Sequence, residues 1–242
     1  MTEPIHGLVG RGRVASHLAR YLELENIPFA SWHRGSGESP EEALGRCPVL
    51  LLAVSDDALE PFLAAHPSLA GPRVIHFSGS RTVPGAWGFH PLYTFGPRLY
   101  GLDEYRSIPF VTEAGGPALR DVFPGLANPS VALDPAKKGL YHALCVMAGN
   151  FTTLLWSKLL DDFPARLGLS RDIAVPYLER TARNALEQGS AALTGPLARR
   201  DAGTVEVNLA ALDGDPYAAV YRAFAGMFGL APGAGKGKEA LA

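Results

Sequence analysis

Cysteine is nearly absent from this chain. Only Cys47 and Cys145 occur, which excludes a disulfide framework and a four-cysteine zinc site. Both lie in or beside apolar stretches and are expected as small buried hydrophobes in a reducing compartment. Charge of one sign is lacking too. Twenty-two Lys and Arg stand against 24 Asp and Glu, for a formal charge of −2. Without a long basic run, binding to nucleic acid by phosphate neutralisation is not expected. Purely apolar runs are short. Residues 49–54 form one of the longest, far below the ~20 residues that cross a bilayer. The first ten residues, MTEPIHGLVG, show no basic stretch followed by an apolar one, so no secretory leader is expected. These absences point to a soluble, cytoplasmic protein with no membrane partner. No metal ligand set stands out.

What is present is apolar residue in quantity, 47% of 242 residues, enough for a real core. The first part alternates short strands and helices. Residues 5–9 read as a strand, and Val14, Leu18, Tyr21 and Leu22 recur at helical spacing. A second strand is expected over 29–32. Ser39 is placed to cap a short helix that starts at Pro40. Residues 48–54 are continuously apolar, as suits a strand buried on both faces of a parallel sheet. Asp56 and Asp57 then stand where the next helix starts and are expected to cap it. Further strands are expected over 73–77, 87–92, 107–112 and 130–133. A short helix falls over 117–123, and 93–105 reads as loop. This order implies right-handed crossovers and an open parallel sheet.

After Asp134-Pro135 the texture changes to long helical periods. Residues 138–160 are apolar almost all round, as in a buried helix. Further helices are expected over 171–193, 204–212 and 216–229, and Thr194-Gly195-Pro196 is expected to end a helix. The sequence thus divides into an α/β unit over 1–133, an all-helical unit over 134–231 and a mobile tail over 232–242.

Gly10-Arg11-Gly12-Arg13-Val14-Ala15 fits G-x-G-x-x-A between a strand and a helix, the context of a dinucleotide site. Gly10 suits the tight turn, Gly12 lets backbone approach a pyrophosphate, and Ala15 allows close helix–strand packing. Helix-start N–H groups then face the phosphates, with Arg11, Arg13 and Val14 alongside. At the end of the second strand, Trp32-His33-Arg34-Gly35-Ser36 carries no acid for ribose hydroxyls. His33, Arg34 and Ser36 are instead suited to a 2′-phosphate, which favours NADP over NAD. Val54 and Ser55 end the third strand, and Ser78 ends the fourth. All three are expected beside the nucleotide, because strand C-termini line the ligand crevice. His76 reads as a core histidine.

Several motifs follow in order: the glycine turn, Ala53-Val54-Ser55-Asp56-Asp57, His76-Phe77-Ser78-Gly79, Gly88-Phe89-His90-Pro91-Leu92, Lys138-Gly139-Leu140-Tyr141-His142-Ala143, Ala148-Gly149-Asn150, and Leu193-Thr194-Gly195-Pro196 with Asp201 and Thr204-Val205. Together they resemble the family that joins a Rossmann-like domain to the helical domain of unknown function 2520. That family is similar to the coenzyme-F420-dependent NADP oxidoreductases and to the 6-phosphogluconate dehydrogenase-like superfamily. The resemblance implies an NADP-binding Rossmann-type sheet domain, an all-α C-terminal domain that forms a homodimer, and an active site between the domains. This chain has Ser55 where the family has proline, Arg200 where it has glycine, and Asn208 where it has histidine.

Related dehydrogenases place a lysine at the start of a long helix with an Asn or His about a turn on. Lys138 and His142 match by position and, at i, i+4, share a helix face. Asn150 lies eight residues on, ~80° round the wheel from His142. His142 is the best general acid, because its charge changes near neutral pH. Lys138 is suited to a carbonyl or a carboxylate, and Asn150 to a hydrogen bond with substrate or cofactor. The expectation is hydride transfer between NADP(H) and a small carbonyl or imine substrate. The alternative is a non-catalytic NADP-binding sensor or partner-binding dimer. A deazaflavin as second cofactor is left open. His90, before a proline turn, fits either a cleft or a structural role.

Overall fold

The computed structural model describes residues 6–70 and 73–230. The tail expected over 232–242 lies outside them, as does the start of the first strand. The described residues fall into two compact units that divide between Leu154 and Leu155.

In the first unit, seven strands form one sheet in the order β2-β1-β3-β4-β5-β6-β7. They are β1 His6–Val9, β2 Phe29–Trp32, β3 Val49–Leu52, β4 Arg73–His76, β5 Trp87–Pro91, β6 Phe110–Glu113 and β7 Ser130–Leu133. Pairing is parallel from β2 through β5 and again between β6 and β7. It is antiparallel between β5 and β6, so the parallel order expected of the first strands holds through β5 and is interrupted once beyond it. The link from β5 to β6 carries only the short helix α4 Leu102–Ser107, and the strand that follows runs back down the sheet. That helix also corrects the reading of 93–105 as loop. Its apolar Tyr105 is buried.

The sheet is covered on both faces because successive residues alternate sides. Leu8, Leu51, Ile75 and Phe89 enter one apolar layer with Leu18 and Leu22 of helix α1 Arg13–Leu24. Val9, Leu50, Leu52 and Val74 enter the other, with Leu44 of α2 Pro40–Leu44 and Leu59 of α3 Leu59–Ala65. The continuous run Val49–Leu52 is therefore apolar for the reason expected: both its faces are covered. Ser39 caps α2 in a full capping box with Glu42, worth about 1 kcal/mol. Asp56 and Asp57 do lie in a first helical turn, but their side chains do not cap it. Asp56 accepts from the Ser80 hydroxyl at 3.0 Å and Asp57 pairs with Arg81. After β6 comes the short helix α5 Leu119–Val122.

Beyond β7, one helical run extends over Pro135–Leu167. It begins as α6 Lys138–Cys145, widens to a π-helix over Val146–Phe151 and continues as α7 Thr152–Asp162. Burial was expected here, and the structure differs. Leu140, Leu144, Met147 and Phe151 are 67%, 55%, 57% and 51% exposed. The run is also long and apolar enough to cross a membrane by length and composition, with a mean hydropathy of 1.3 over 18 residues and none of that window buried. Short uninterrupted apolar runs hid this, because interspersed Gly, Ser, Thr and Lys break the stretch without making it polar. Cys47 is buried as expected, whereas Cys145 is only half-buried.

The second unit holds α8 Val175–Gln188, α9 Gly195–Ala198, α10 Ala202–Ala211 and α11 Tyr217–Met227. Thr194 is the N-cap residue of α9, so the Thr194-Gly195-Pro196 turn starts a helix, with Pro196 in its first turn. Val205, Leu209 and Ala225 form a small buried core. Lys158 and Arg166 both meet the Asp215 carboxylate, which holds that carboxyl below its usual range through the Lys158 hydrogen bond first.

Candidate functional site

The site is built on the C-terminal edge of the parallel strands. Gly10 ends β1 at φ +120°, a conformation that disfavours any residue with a Cβ. A Cβ there would sit 2.3 Å from the Ala53 carbonyl oxygen. The turn is pinned on both sides, by Gly10 N–H to the Trp32 carbonyl at 2.8 Å and by Ala53 N–H to the Val9 carbonyl at 2.9 Å. Gly12, by contrast, has nothing within 4 Å of where its Cβ would be, and it caps α1 with no side-chain bond. The first N–H groups of a twelve-residue helix thus open onto free space.

That space is a crevice of about 1250 Å³. Gly10, Arg11, Gly12, Arg13 and Val14 line it from the first turn, and His33 and Arg34 from the end of β2. Val54, Ser55 and Ser78 line it from the next two strand ends. Arg11, Arg13 and Arg34 are exposed, and no ion pair among the described residues engages them. Ser36 is the one expected cofactor residue that does not line the crevice. Its hydroxyl accepts from the His33 N–H at 2.9 Å and so shapes the loop. Ser78 Oγ accepts from the N–H groups of Ser80 and Arg81, which fixes the turn at the end of β4. One wall was not anticipated: Trp32, Phe62 and His66 cluster with ring centroids 4.7–6.3 Å apart. Glu41 accepts from or shares a proton with His66 Nδ1 at 2.7 Å. Their spacing in sequence, 32, 62 and 66, gives no hint of that wall before the strands are paired.

A second group gathers beyond Ser78. Gly79 follows β4, His90 lies near the end of β5, and Tyr141 and His142 come from α6. An added Cβ at Gly79 would lie 2.5 Å from His142 Cδ2 and 3.0 Å from His90 Cδ2, so glycine here lets both rings in. The two rings sit edge-on with centroids 5.9 Å apart, and His90 Nδ1 shares a 2.7 Å hydrogen bond with the Tyr141 hydroxyl. Burial holds the His90 imidazole down at about 4, aided by the nearby His142 and Lys138 and opposed by Asp56. Burial, followed by Cys145, raises the Tyr141 phenol.

Lys138 is not at the surface. It is 5% exposed, and its Nζ donates to Glu113 Oε1 at 2.5 Å. Gly88 makes room, since a Cβ there would meet Nζ and the same carboxylate. The ammonium is therefore already paired and turned away from open solvent. His76 is fully buried, as a core histidine should be. Its Nδ1 accepts from Ser78 N–H at 3.3 Å and its Nε2 lies 3.8 Å from Glu113 Oε1. Burial and then Lys138 pull His76 down to about 4. Asn150 is exposed. It falls inside the π-helical stretch, whose wider turn departs from the regular wheel that related it to His142. The structure thus brings His142 together with His90, Tyr141 and Gly79, and sets Lys138 with Glu113. Glu113 lies one residue past the strand expected over 107–112, and neither it nor its pairing with Lys138 was anticipated. Among the described residues, no group of three metal-ligating side chains occurs.

Fold and site together define a Rossmann-type α/β protein with an open crevice over its first glycine turn and a C-terminal helical part. Residues 108–227 match the family model described as Domain of unknown function (DUF2520), so this stretch of the chain carries that domain. No curated protein matches the sequence. Among solved structures, the chain is similar to a candidate NADP oxidoreductase from Bacteroides fragilis, at 22% identity, covering 92% of this chain and 95% of that one, with a TM-score of 0.74. It is similar to a variant imine reductase from Myxococcus stipitatus in complex with NAD+, at 15% identity, 99% and 97% coverage and TM-score 0.61. It is also similar to a pyrroline carboxylate reductase from Plasmodium falciparum with NADP bound, at 14% identity, 92% and 95% coverage and TM-score 0.55. At such identities the likeness is one of fold.

Proposed function

We propose that the chain is an NADP-dependent oxidoreductase that moves a hydride between NADP(H) and a small carbonyl or imine compound. The observation that carries this is the crevice: an open Gly12 at the start of α1, three exposed arginines along it, and no acid at the end of β2. A pyrophosphate fits helix-start N–H groups that no side chain caps. A 2′-phosphate fits Arg34, whose guanidinium can bind it through two hydrogen bonds, with His33 beside it. Val54 and Ser55 flank the ribose in this reading, and Ser78 the nicotinamide end. NADPH, when bound, supplies the hydride. The chain's own residues bind, orient and protonate. His142 is the proton donor, being the ring near Gly79 that no hydrogen bond ties to Tyr141. Lys138 acts through its field, as a buried positive charge balanced by Glu113. Asn150 orients substrate from the same helix. The solved reductases of imines and of pyrroline carboxylate that share this fold support a C=N or C=O substrate.

The helical residues from 134 onward carry the substrate and dimer contacts in this proposal, and residues 1–133 the dinucleotide. Leu140, Leu144, Met147 and Phe151 repeat at intervals of four, three and four, an apolar seam on an exposed helix face. A second copy of the chain is the proposed cover, which makes the protein a soluble, cytoplasmic homodimer. Sedimentation should give twice the monomer mass for the native protein and the monomer mass for Leu144→Glu.

The test of the cofactor is ligand stabilisation. Saturating NADPH should raise the melting temperature more than NADH does, by mass action on the folded state. Equal shifts, a larger shift with NADH, or none with either would overturn it. Oxidation of NADPH in the presence of aldehydes, keto acids or cyclic imines then tests catalysis, with His142→Ala as control. Tight NADPH binding with no turnover of any of them would favour the sensor reading.

A further inference from the structure

We infer that Tyr141 fixes His90 as its neutral tautomer with the proton on Nε2, so that the two imidazoles meeting over Gly79 have different tasks: His90 is a standing N–H donor tied to Tyr141, and His142 is the ring without that tie. The inference rests on the proposed oxidoreductase only for what the two rings do in turnover. The tautomer itself stands on geometry.

Tyr141 Oη and His90 Nδ1 are 2.7 Å apart. Between a neutral phenol and a neutral imidazole, the phenol is the better donor and the ring nitrogen the better acceptor. Cys145, the hydroxyl's other partner, is a weak sulfur acceptor that can itself offer S–H to Oη, so the hydroxyl donates to His90, Nδ1 carries no hydrogen, and the ring's single proton sits on Nε2. That nitrogen lies on the ring edge facing Gly79, 3.1 Å from where a Cβ would be. Gly79 directly follows Ser78, a residue of the dinucleotide crevice, so the N–H edge is placed beside the end of that crevice.

Charging His90 would require the O–H···N bond to reverse, with the Tyr141 hydroxyl turning to accept from Nδ1–H. It would also place a second cation 5.9 Å from His142 and near Lys138. The groups that face His90 are Tyr141, His142 and Lys138 from α6 and Asp56 from the turn before α3. Asp56 alone favours a charged ring, and it is itself held by the Ser80 hydroxyl. Glu113 is taken up by Lys138. Burial adds to the same bias, holding His90 at about 4.

For the proposed reaction this divides labour. His90 offers a donor that stays neutral across physiological pH and suits a lone pair on a carbonyl oxygen or an imine nitrogen. His142 delivers the proton that the reduced product needs. Tyr141 is a positioning residue, acting through His90.

The experiment is long-range proton–nitrogen NMR of the histidine rings in the full-length, ligand-free protein between about pH 5 and 8. His90→Gln and His142→Asn assign the two signals. The expected result is that the His90 ring keeps the pattern of a neutral Nε2–H tautomer throughout. In Tyr141→Phe, the His90 tautomers should mix, because the hydroxyl that selects the Nε2–H form is gone. A His90 ring found as the Nδ1–H tautomer, or one that charges within this range in the native protein, would overturn the inference. So would an unchanged signal in a folded Tyr141→Phe. If that variant fails to fold, the native tautomer decides alone. No cofactor or turnover enters the measurement, so a failed NADPH titration leaves it untouched and a wrong tautomer leaves NADPH binding untouched.

Discussion

The two ends of the strand edge treat charge in opposite ways. At the glycine turn, Arg11, Arg13 and Arg34 stand exposed, and the helix start has no side-chain cap. Around Gly79 and Gly88, every charge that burial would penalise already has a partner or is suppressed. Lys138 pairs with Glu113, and His76 and His90 are held neutral. The first end leaves positive charge for something the chain does not supply. The second is organised in advance, with its charges paired and its rings packed edge-on over a glycine. Under the proposed function these are a binding edge and a reacting edge: the former gains from unspent charge, the latter from preorganisation.

The comparison breaks most readily at the buried pair. Glu113→Gln leaves the Lys138 ammonium buried without its partner and should cost about 3–5 kcal/mol in chemical denaturation. Combining it with Lys138→Met should recover most of that loss. An additive double variant would mean that the two charges do not depend on each other. At the other end, Gly10→Ala forces a side chain into φ +120° and against the Ala53 carbonyl, with an expected loss of about 1–3 kcal/mol. Gly12→Ala, with open space at its Cβ, should leave stability within about 1 kcal/mol. It should instead weaken NADPH binding, a split visible by comparing melting curves with and without the nucleotide.

The pH response sharpens the contrast further. His76 and His90 fall from an ordinary 6.5 to about 4 in the folded protein. A lowered histidine pKa means that the unfolded chain binds protons first. Stability from these two rings is therefore complete above about pH 6.5 and is lost as pH falls toward 4. Urea midpoints should stay flat above that range and drop below it, and His90→Gln should make the drop shallower. A further modest effect belongs to the exposed edge. Arg34→Asp should cost NADPH about tenfold in affinity, roughly 1.4 kcal/mol, and leave NADH nearly unchanged.

Much of the first edge could be read from the sequence, because each of its parts is local. A strand, a G-x-G-x-x-A turn and a helix follow one another, and the next strand ends in Arg34 rather than an acid. The parallel core was equally legible, since Val49–Leu52 has no polar face to spare. The second edge was not, for it is assembled across long separations: Glu113 with Lys138, His90 with Tyr141, Gly79 with both histidines. Lys138 and His142 stood out individually, yet no spacing announces that one is buried against an acid and the other rests over a glycine. The long helix misled in a different way. Apolar residues all round suggested burial within the chain, and the structure leaves the Leu140–Leu144–Met147–Phe151 face open. Composition reports that a surface must be covered; it does not say by what.

Calorimetric titration of the native protein with NADPH and with NADH, at one ionic strength and neutral pH, tests the central claim most directly. The account predicts that NADPH binds at least about tenfold more tightly than NADH, and that Arg34→Asp removes that preference. NADH binding as tightly as NADPH, or no binding of either, would contradict it.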